Sequence, residues 1–309
     1  MWEQTKVDLK VRIGPLNLDN PVITASGTFG YGLEYGSLMD LNLLGAIVVK
    51  GTSLTPKQGN PPPRIVETAS GMLNAIGLAN VGVKAFVEEK LPRLRGLDTK
   101  IIVNIYGHRI EEYGELAAAL KGVEGVDALE VNISCPNVEC GGMAFGTDPH
   151  VSKEVTRKVL ENTDKPVIVK LTPNVTDIRP IAMAVEEAGA HAISLINTLR
   201  GMAIDIESRR PLLANITGGL SGPAIKPVAL HMVYQAAGAV SIPVIGGGGI
   251  VDYRDALEFL IAGARAIEVG SANFVDPRAS INIIDGIRRY CLDNGISSIG
   301  EIIGTLKTG

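Results

Sequence analysis

The stretch PVIVKLTPNVTDIRPIAMAVEEAGAHAISLINT, residues 166–198, contains one complete strand–helix–strand unit. It begins with PVIVKLT, a largely apolar and β-branched run, and it ends with the similar run AISLINT. Between them, TDIRPIAMAVEEAGA carries apolar residues at helical spacing. Near-continuous apolar character is typical of parallel strands that are covered on both faces. The stretch therefore predicts two parallel strands joined by a helix.

The same unit recurs along the chain. Eight predicted strands begin at Pro21, Ala46, Ile101, Ala128, Pro166, Ala192, Ile242 and Ala266. Amphipathic segments such as residues 80–94, 110–122 and 252–264 lie between them. Eight repeats in about 250 residues favour an α/β fold of the (β/α)8 type, a TIM barrel. Two Rossmann-like halves are the alternative, but no G-x-G-x-x-G motif follows the first strand. We expect residues 1–309 to form a single domain.

Two segments lie outside this repeat. Residues 6–20, KVDLKVRIGPLNLDN, alternate in polarity around a Gly-Pro turn and predict a small hairpin that closes the bottom of the barrel. Arg200–Gly222 is a long insertion after the sixth strand. Long insertions in compact domains are usually functional loops or extra β structure over a site.

Composition excludes several classes of function. The net charge of −4 and the pI of about 5.7 leave no basic surface suited to nucleic acid. Three cysteines, an odd number, argue against a disulfide framework and for a reducing compartment. We find no signal peptide and no apolar run long enough to span a membrane. We therefore expect a cytoplasmic protein.

Polar residues stand where the predicted strands end. They are Lys50, Asn104, Asn132, Lys170 and Asn197. Taken singly, an Asn there is usually a turn former and a Lys is usually a solvated surface group. The carboxyl ends of barrel strands build the active site, however, and polar groups gathered there are costly to bury without a ligand. Together they predict a site for a planar, polar, anionic molecule.

Glycines follow the seventh and eighth predicted strands, in IGGGGI (245–250) and VGSANF (269–274). Loops at these positions form the common phosphate site of such barrels, with backbone N–H groups as anion donors. A flexible turn is the alternative. The pattern favours phosphate, but it leaves open whether the phosphate belongs to a substrate or to a cofactor.

Cys135 lies in the loop VNISCPNVECGG, residues 131–142. A free Cys is most often a small buried hydrophobe, but this one is in a polar loop. A metal site with Cys140 lacks further ligands, so we expect no metal. A covalent nucleophile would need a His partner, and none is apparent. A thiol with a reference pKa of about 8.5 can also act as a general base if cations lower its pKa.

Nine motifs of the chain resemble those of one enzyme family. They are ASGTFG, VVKGTS, NAIGLAN, VNISCPN, VIVKLTPN, INT, GGLSGPAIKP, IGGGGI and VGSANF, and they extend from Ser26 to Phe274. They are similar to motifs of class 1 dihydroorotate dehydrogenases, which are (β/α)8 barrels that contain FMN. NAIGLAN and CGGMAFGTDP are most similar to class 1B. Class 2 members differ in having a membrane-binding N-terminal extension and a Ser base.

The resemblance implies oxidation of (S)-dihydroorotate to orotate in de novo pyrimidine (UMP) biosynthesis. It makes Cys135 the base that removes the C5 proton, while hydride passes from C6 to FMN. The implied substrate contacts are Lys50, Asn74, Ala75, Ile76, Gly77, Leu78, Asn132, Asn197 and Thr198; whether Asn137 is another stays open. The implied FMN contacts are Ser26, Lys50, Gly51, Asn104, Asn132, Lys170, Ile196, Gly222, Gly248, Gly249, Gly270 and Ser271.

Resemblance to class 1B also implies a partner. We expect an electron-transfer subunit that carries FAD and a [2Fe–2S] cluster, passes electrons to NAD, and forms a heterotetramer of two catalytic and two partner chains. The three cysteines of this chain are too few for such a cluster, which normally takes four thiolates. The alternatives are a fumarate-linked class 1A enzyme, a dihydropyrimidine-type flavin dehydrogenase, a lyase with Lys50 or Lys170 as Schiff-base amine, and a non-catalytic binding module.

Overall fold

The computed structural model describes residues 7–134 and 145–309. Within them the strands are β1 (Val11–Ile13), β2 (Leu16–Leu18), β3 (Val22–Thr24), β4 (Ala46–Thr52), β5 (Ile65–Thr68), β6 (Gly71–Asn74), β7 (Lys100–Ile105), β8 (Ala128–Asn132), β9 (Val167–Lys170), β10 (Ala192–Leu195), β11 (Leu199–Met202), β12 (Ile204–Asp205), β13 (Arg210–Pro211), β14 (Thr217–Ser221), β15 (Val244–Gly247) and β16 (Ala266–Val269). The α-helices are α1 (Gly82–Ala85), α2 (Leu91–Leu94), α3 (Ile110–Leu120), α4 (Pro149–Asn162), α5 (Arg179–Glu187), α6 (Lys226–Ala239), α7 (Tyr253–Ile261), α8 (Ala272–Val275) and α9 (Ala279–Asp293). A π-helical turn, Phe86–Lys90, joins α1 to α2.

Eight parallel strands form a closed barrel in the order β3, β4, β7, β8, β9, β10, β15 and β16. The last strand returns to the first through pairs such as Ile267 with Val22. These are the eight strands predicted from the apolar runs, so the TIM-barrel prediction is confirmed. Their Val and Ile side chains are almost entirely buried because the strands are covered on both faces.

The helices form the outer layer. The α4 helix begins after Asp148, whose side chain accepts hydrogen bonds from the N–H groups of His150 and Val151. Its buried residues include Val155 and Val159, which belong to the main core. Among the described residues, no helix is both long enough and apolar enough to cross a membrane.

The N-terminal hairpin lies at the amino end of the barrel. Strands β1 and β2 pair antiparallel, with Val11 and Leu18 buried and Arg12 exposed. At the turn, Gly14 has a φ of 55°, and a Cβ there would lie 2.9 Å from the carbonyl oxygen of His191. Since His191 directly precedes β10, the hairpin closes the bottom of the barrel, as predicted.

A second sheet lies at the other end of the barrel. Its four antiparallel strands run in the order β11, β14, β6 and β5, and we call it the cover sheet. The insertion Arg200–Gly222 supplies most of β11 and all of β14, so the prediction of extra β structure is confirmed. The β5–β6 hairpin was not predicted. It follows β4 and joins β14 through pairs such as Asn74 with Gly219.

The cover sheet has a small hydrophobic cluster of its own, formed by Leu73, Ala75 and Leu213. Leu213 is 0% exposed, whereas its neighbour Leu212 is 37% exposed. Truncating a buried Leu to Ala typically costs about 2–5 kcal/mol. We therefore expect Leu213→Ala to destabilise the cover sheet locally while the barrel, which has a separate core, stays folded.

Limited proteolysis combined with far-UV circular dichroism tests this expectation. Leu213→Ala should be cleaved faster within residues 199–221 and should retain the secondary-structure signal of the barrel. Leu212→Ala is the matched control and should be cleaved at the unmodified rate. Equal cleavage of the two variants would contradict a separate cluster.

Candidate active site

A cavity of about 980 Å³ opens at the carboxyl end of the barrel, between the ends of the barrel strands and the cover sheet. Ligand sites of enzymes commonly have this size and this place in the fold. The predicted residues that line it are Ser26, Lys50, Gly51, Asn74, Ala75, Ile76, Gly77, Leu78, Asn104, Asn132, Lys170, Ile196, Asn197, Thr198, Gly222, Gly248, Gly249, Gly270 and Ser271. Cys135, Asn137 and Cys140 lie outside the described residues. Ser134, which directly precedes Cys135, also lines the cavity.

The floor of the cavity holds a buried charged cluster formed by Glu130, Lys170 and Glu268, which we call the carboxylate–lysine cluster. The Lys170 ammonium donates a hydrogen bond to Oε2 of Glu268 and lies 3.4 Å from Oε1 of Glu130. Ser194 Oγ donates to Glu130 Oε1 at 2.7 Å, and Asn104 Nδ2 donates to Glu130 Oε2 at 2.5 Å. Buried charges are tolerated when they are paired and hydrogen-bonded in this way.

The three members of the cluster have shifted pKa values. Burial and the nearby charge of Glu130 raise the pKa of Glu268 well above its usual value. Burial opposes ionisation of Glu130 as well, but the ammonium of Lys170 and several hydrogen bonds hold its pKa below the usual value. Burial likewise disfavours a charged Lys170, yet the two carboxyl groups raise the pKa of its ammonium. Lys170 therefore stays protonated.

Lys50 is a second cation of the cavity. It is half-buried near the end of β4, and burial, followed by the nearby charge of Arg64, lowers its pKa. Within residues 7–134 and 145–309, no carboxylate lies within ion-pair distance of its ammonium. A half-buried ammonium without a carboxylate partner is suited to bind an anionic group of a ligand.

Asparagine side chains form a second set of polar groups. Asn132 Oδ1 accepts hydrogen bonds from Ser134 N at 3.0 Å and from Asn197 Nδ2 at 3.3 Å. Asn74 Nδ2 donates to the carbonyl of Gly219 across the cover sheet, at 3.3 Å. These bonds fix the orientation of the amides, so each presents a defined donor or acceptor to a ligand.

One buried amide oxygen at the cavity has no donor. Asn104 Oδ1 is buried and finds no hydrogen-bond partner among the described residues, although Asn104 Nδ2 is bonded to Glu130. An unsatisfied buried acceptor is costly and indicates a missing partner. An N–H group of a bound ligand would satisfy it.

Glycines at the far wall hold the backbone in conformations that other residues avoid. Gly222, Gly248 and Gly249 have φ values of 98°, 125° and 75°. At Gly249 a Cβ would lie 2.8 Å from the backbone nitrogen of Lys226, and at Gly222 it would lie 2.5 Å from Gly71 Cα. The loops therefore leave backbone, rather than side chains, facing part of the cavity, as a phosphate site requires.

The α7 helix, which follows these glycines, has an occupied N-terminus. The Asp252 side chain accepts hydrogen bonds from the N–H groups of Arg254 and Asp255, and Asp255 completes a capping box. An anion would compete there with a carboxylate. The glycine loop itself, rather than the first turn of α7, is therefore the suitable anion contact.

Several residues of the cavity were not predicted, among them Thr172, Asn174, Arg200, Thr217 and Glu268. Arg200 and Thr217 are on the cover sheet, whose place over the barrel does not follow from a strand–helix repeat. Glu268 could have been found, because a charged residue inside the apolar run AIEVGS is unusual in a buried strand.

Comparisons with known proteins identify the family of this chain. Residues 8–291 match the family model for dihydroorotate dehydrogenase. The chain is 61% identical over 302 residues to "Dihydroorotate dehydrogenase B (NAD(+)), catalytic subunit" of Geotalea daltonii, covering 98% of this chain and 99% of that protein. Relatives with the same name come from Citrifermentans bemidjiense (59% identical; 97% and 98% covered) and Thermoanaerobacter pseudethanolicus (57% identical; 97% and 99% covered).

The resemblance inferred from nine short motifs thus extends over almost the whole chain, and the relatives are of the B type, as NAIGLAN and CGGMAFGTDP predicted. A family model that covers most of the described barrel and relatives at about 60% identity leave no ambiguity about descent. The chain belongs to the dihydroorotate dehydrogenase family.

Proposed function

We propose that this chain is the catalytic subunit of an NAD-linked dihydroorotate dehydrogenase, which oxidises (S)-dihydroorotate to orotate in de novo pyrimidine (UMP) biosynthesis. The observation that carries the proposal is one cavity lined by three kinds of group, in a chain of this family. They are the Lys50 ammonium, which has no carboxylate partner among the described residues, the oriented amides and the glycine loop. The relatives are named as NAD(+)-linked dihydroorotate dehydrogenases, which supports the same reaction and the same final acceptor.

The cofactor of this proposal is FMN, which when bound accepts the hydride that leaves C6 of dihydroorotate. The cavity is large enough for a flavin and a substrate together. Gly248, Gly249, Gly270 and Ser271 would hold the phosphate. Asn104 Oδ1 offers an acceptor that has no donor among the described residues, and Lys170 offers a cation that can balance negative charge on the ring.

The substrate is a flat ring with amide groups and a carboxylate. We assign Lys50 to the carboxylate because no carboxylate of the described residues occupies its ammonium. Asn74, Asn132 and Asn197 would bind the ring edges, since an amide side chain offers both a donor and an acceptor. We assign the C5 proton to the thiol of Cys135, and what supports this assignment is the position of Ser134 at the cavity wall.

A partner subunit completes the proposal. The name "catalytic subunit" of the relatives implies a separate second subunit. We propose that this subunit carries FAD and a [2Fe–2S] cluster, and that two catalytic and two partner chains form a heterotetramer in the cytoplasm. The cluster belongs on the partner because this chain has three cysteines and a cluster normally takes four thiolates.

A Schiff-base lyase is a weaker candidate. Its amine must lose a proton, but Lys170 lies between two carboxyl groups that raise its pKa. Lys50, with its lowered pKa, could serve chemically. Borohydride trapping of a covalent substrate adduct would favour this alternative over the dehydrogenase.

An assay of dihydroorotate oxidation with different electron acceptors tests the proposed function directly. We expect the purified chain to carry flavin absorbance and to reduce an artificial dye with dihydroorotate, but to reduce NAD only when co-purified with its partner. Fumarate reduction by the chain alone would indicate the class 1A activity instead. Absence of flavin absorbance under reconstituting conditions would contradict the proposal, and preference for dihydrouracil would indicate a dihydropyrimidine dehydrogenase.

We expect Cys135→Ala to keep its flavin and to lose turnover by about 10²–10⁴-fold, the usual contribution of a general base. Steady-state oxidation of dihydroorotate, read alongside the flavin spectrum, measures both effects. Cys140→Ala removes a thiol from the same segment and is the matched control. Unchanged turnover of Cys135→Ala would refute the assignment of the base.

We expect Lys50→Met to weaken dihydroorotate binding, because a charge-assisted hydrogen bond contributes about 1.5–3 kcal/mol. This corresponds to a roughly ten- to hundredfold increase in KM. Lys84→Met, at an exposed position on α1, is the control. Dihydrouracil, which lacks the carboxylate, should show a much smaller change, and an equal change for both substrates would contradict the assigned contact.

A further inference from the structure

Two carboxyl groups share one ammonium in the carboxylate–lysine cluster. The side chains of Glu130, Lys170 and Glu268 are 1%, 7% and 5% exposed, so solvent contributes little to their charge balance. The two carboxyl groups contact the same ammonium, so they also lie close to each other, and their negative charges would repel if both were ionised. Two ionised carboxylates beside a single ammonium would leave one uncompensated negative charge in the interior, at high cost.

The hydrogen bonds indicate which carboxyl group keeps the charge. Glu130 accepts from Ser194 at 2.7 Å, from Asn104 at 2.5 Å and from Lys170. Glu268 accepts from Lys170 through Oε2, while its buried Oε1 has no partner among the described residues. Hydrogen bonds to the ionised form favour that form. The charge therefore belongs on Glu130 and the proton on Glu268.

The neighbouring strands add no competing charge. Within the barrel, Glu268 is paired with Gly247 on one side and with Ile23 on the other. Lys170 is paired with Asn132 and Ser194. Glu130 is paired with Asn104 and Ile168. None of these paired residues is titratable, so none of them competes with the cluster for its proton.

The three members of the cluster differ in their exposure to the cavity. Lys170 and Glu268 line it, whereas Glu130 is not one of the described residues that do. Glu268, the carboxyl group that holds the proton, is therefore the one beside the ligand. A negative charge at Glu268 would act across low-dielectric surroundings on whatever the cavity holds.

We propose that Glu268 is a positioning residue that carries a proton at neutral pH, holding Lys170 at the cavity while keeping the carboxylate–lysine cluster at zero net charge. With Glu268 ionised, the cluster would be negative and would oppose electron uptake by a bound cofactor; with Glu268 protonated, it does not. The effect on a cofactor rests on the proposed function, because it needs a redox ligand in the cavity. The presence of a proton on Glu268 does not rest on the proposed function.

Infrared spectroscopy tests the proton without reference to any cofactor. A protonated carboxyl group has a carbonyl stretch at clearly higher frequency than a carboxylate. We expect this band in the unmodified protein at neutral pH, its decrease as pH rises, and its loss in Glu268→Gln. Glu130→Gln should also lose the band, because Glu268 then becomes the ionised partner of Lys170. A band retained in Glu268→Gln, or absent from the unmodified protein, would overturn the proposal.

Thermal unfolding gives an independent check of the same proton. A raised folded-state pKa stabilises the folded protein at low pH, and that stability is lost as pH rises through the folded pKa. Relative to Glu268→Gln, which stays neutral, the unmodified protein should therefore lose stability as the pH rises from the ordinary pKa of a Glu side chain to the raised pKa of Glu268. A constant difference between the two over the whole pH range would contradict a proton on Glu268.

The midpoint potential of the bound flavin tests whether the charge of Glu268 influences electron uptake by the cofactor. The unmodified protein and Glu268→Gln should have matching potentials at acid pH, and the unmodified protein should fall below the variant as Glu268 ionises. The side chain of Glu268→Leu cannot accept a hydrogen bond from Lys170, so the midpoint potential of this variant should differ from both others at every pH. Glu268→Gln keeps an acceptor for Lys170 and should therefore retain the potential that Glu268→Leu loses. Parallel curves for the unmodified protein and Glu268→Gln would overturn the tuning role. If no flavin is bound, the proposed function fails, while the infrared result still decides the proton.

Discussion

The parallel pairing of β16 with β3 closes the barrel, and the rest of the molecule depends on this closure. In a closed barrel of parallel strands, every strand ends on the same side, and no edge is left exposed. Side chains that are far apart in sequence are thereby brought around one cavity. Lys50 at the end of β4 and Lys170 at the end of β9 face the same ligand volume for this reason alone.

The interior of the barrel combines a hydrophobic core with a charged floor. Val and Ile side chains fill the layers between the strands and provide most of the favourable burial. Above them, Glu130, Lys170 and Glu268 are buried almost as completely, which is tolerable only because they neutralise one another. The same pairing that makes these charges compatible with the fold sets the electrostatic surroundings of the site.

The cover sheet was the part of the fold that the pattern of residues predicted least well. Strand β5 has the alternating, weakly apolar sequence IVET, and β14 has the sequence TGGLS, so neither has the apolar run that marks a barrel strand. The two hairpins become a sheet only because the barrel places Asn74 and Gly219 side by side, although they are 145 positions apart. Local sequence carries no information about such a pairing.

Cavity residues such as Asn74 and Ile196 were predicted from the family resemblance. The amino-acid sequence by itself determined the eight barrel strands, the terminal hairpin and the polar strand-end residues of the cavity, which are Lys50, Asn104, Asn132, Lys170 and Asn197. The reason is that apolar runs and strand-end positions are local properties, and a parallel barrel converts them directly into a site. Only the tertiary structure decided that Lys170 meets Glu268, 98 positions away, and that Glu130 contacts the same ammonium. That result depends on burial and on contacts across the barrel, and both arise only when the barrel closes.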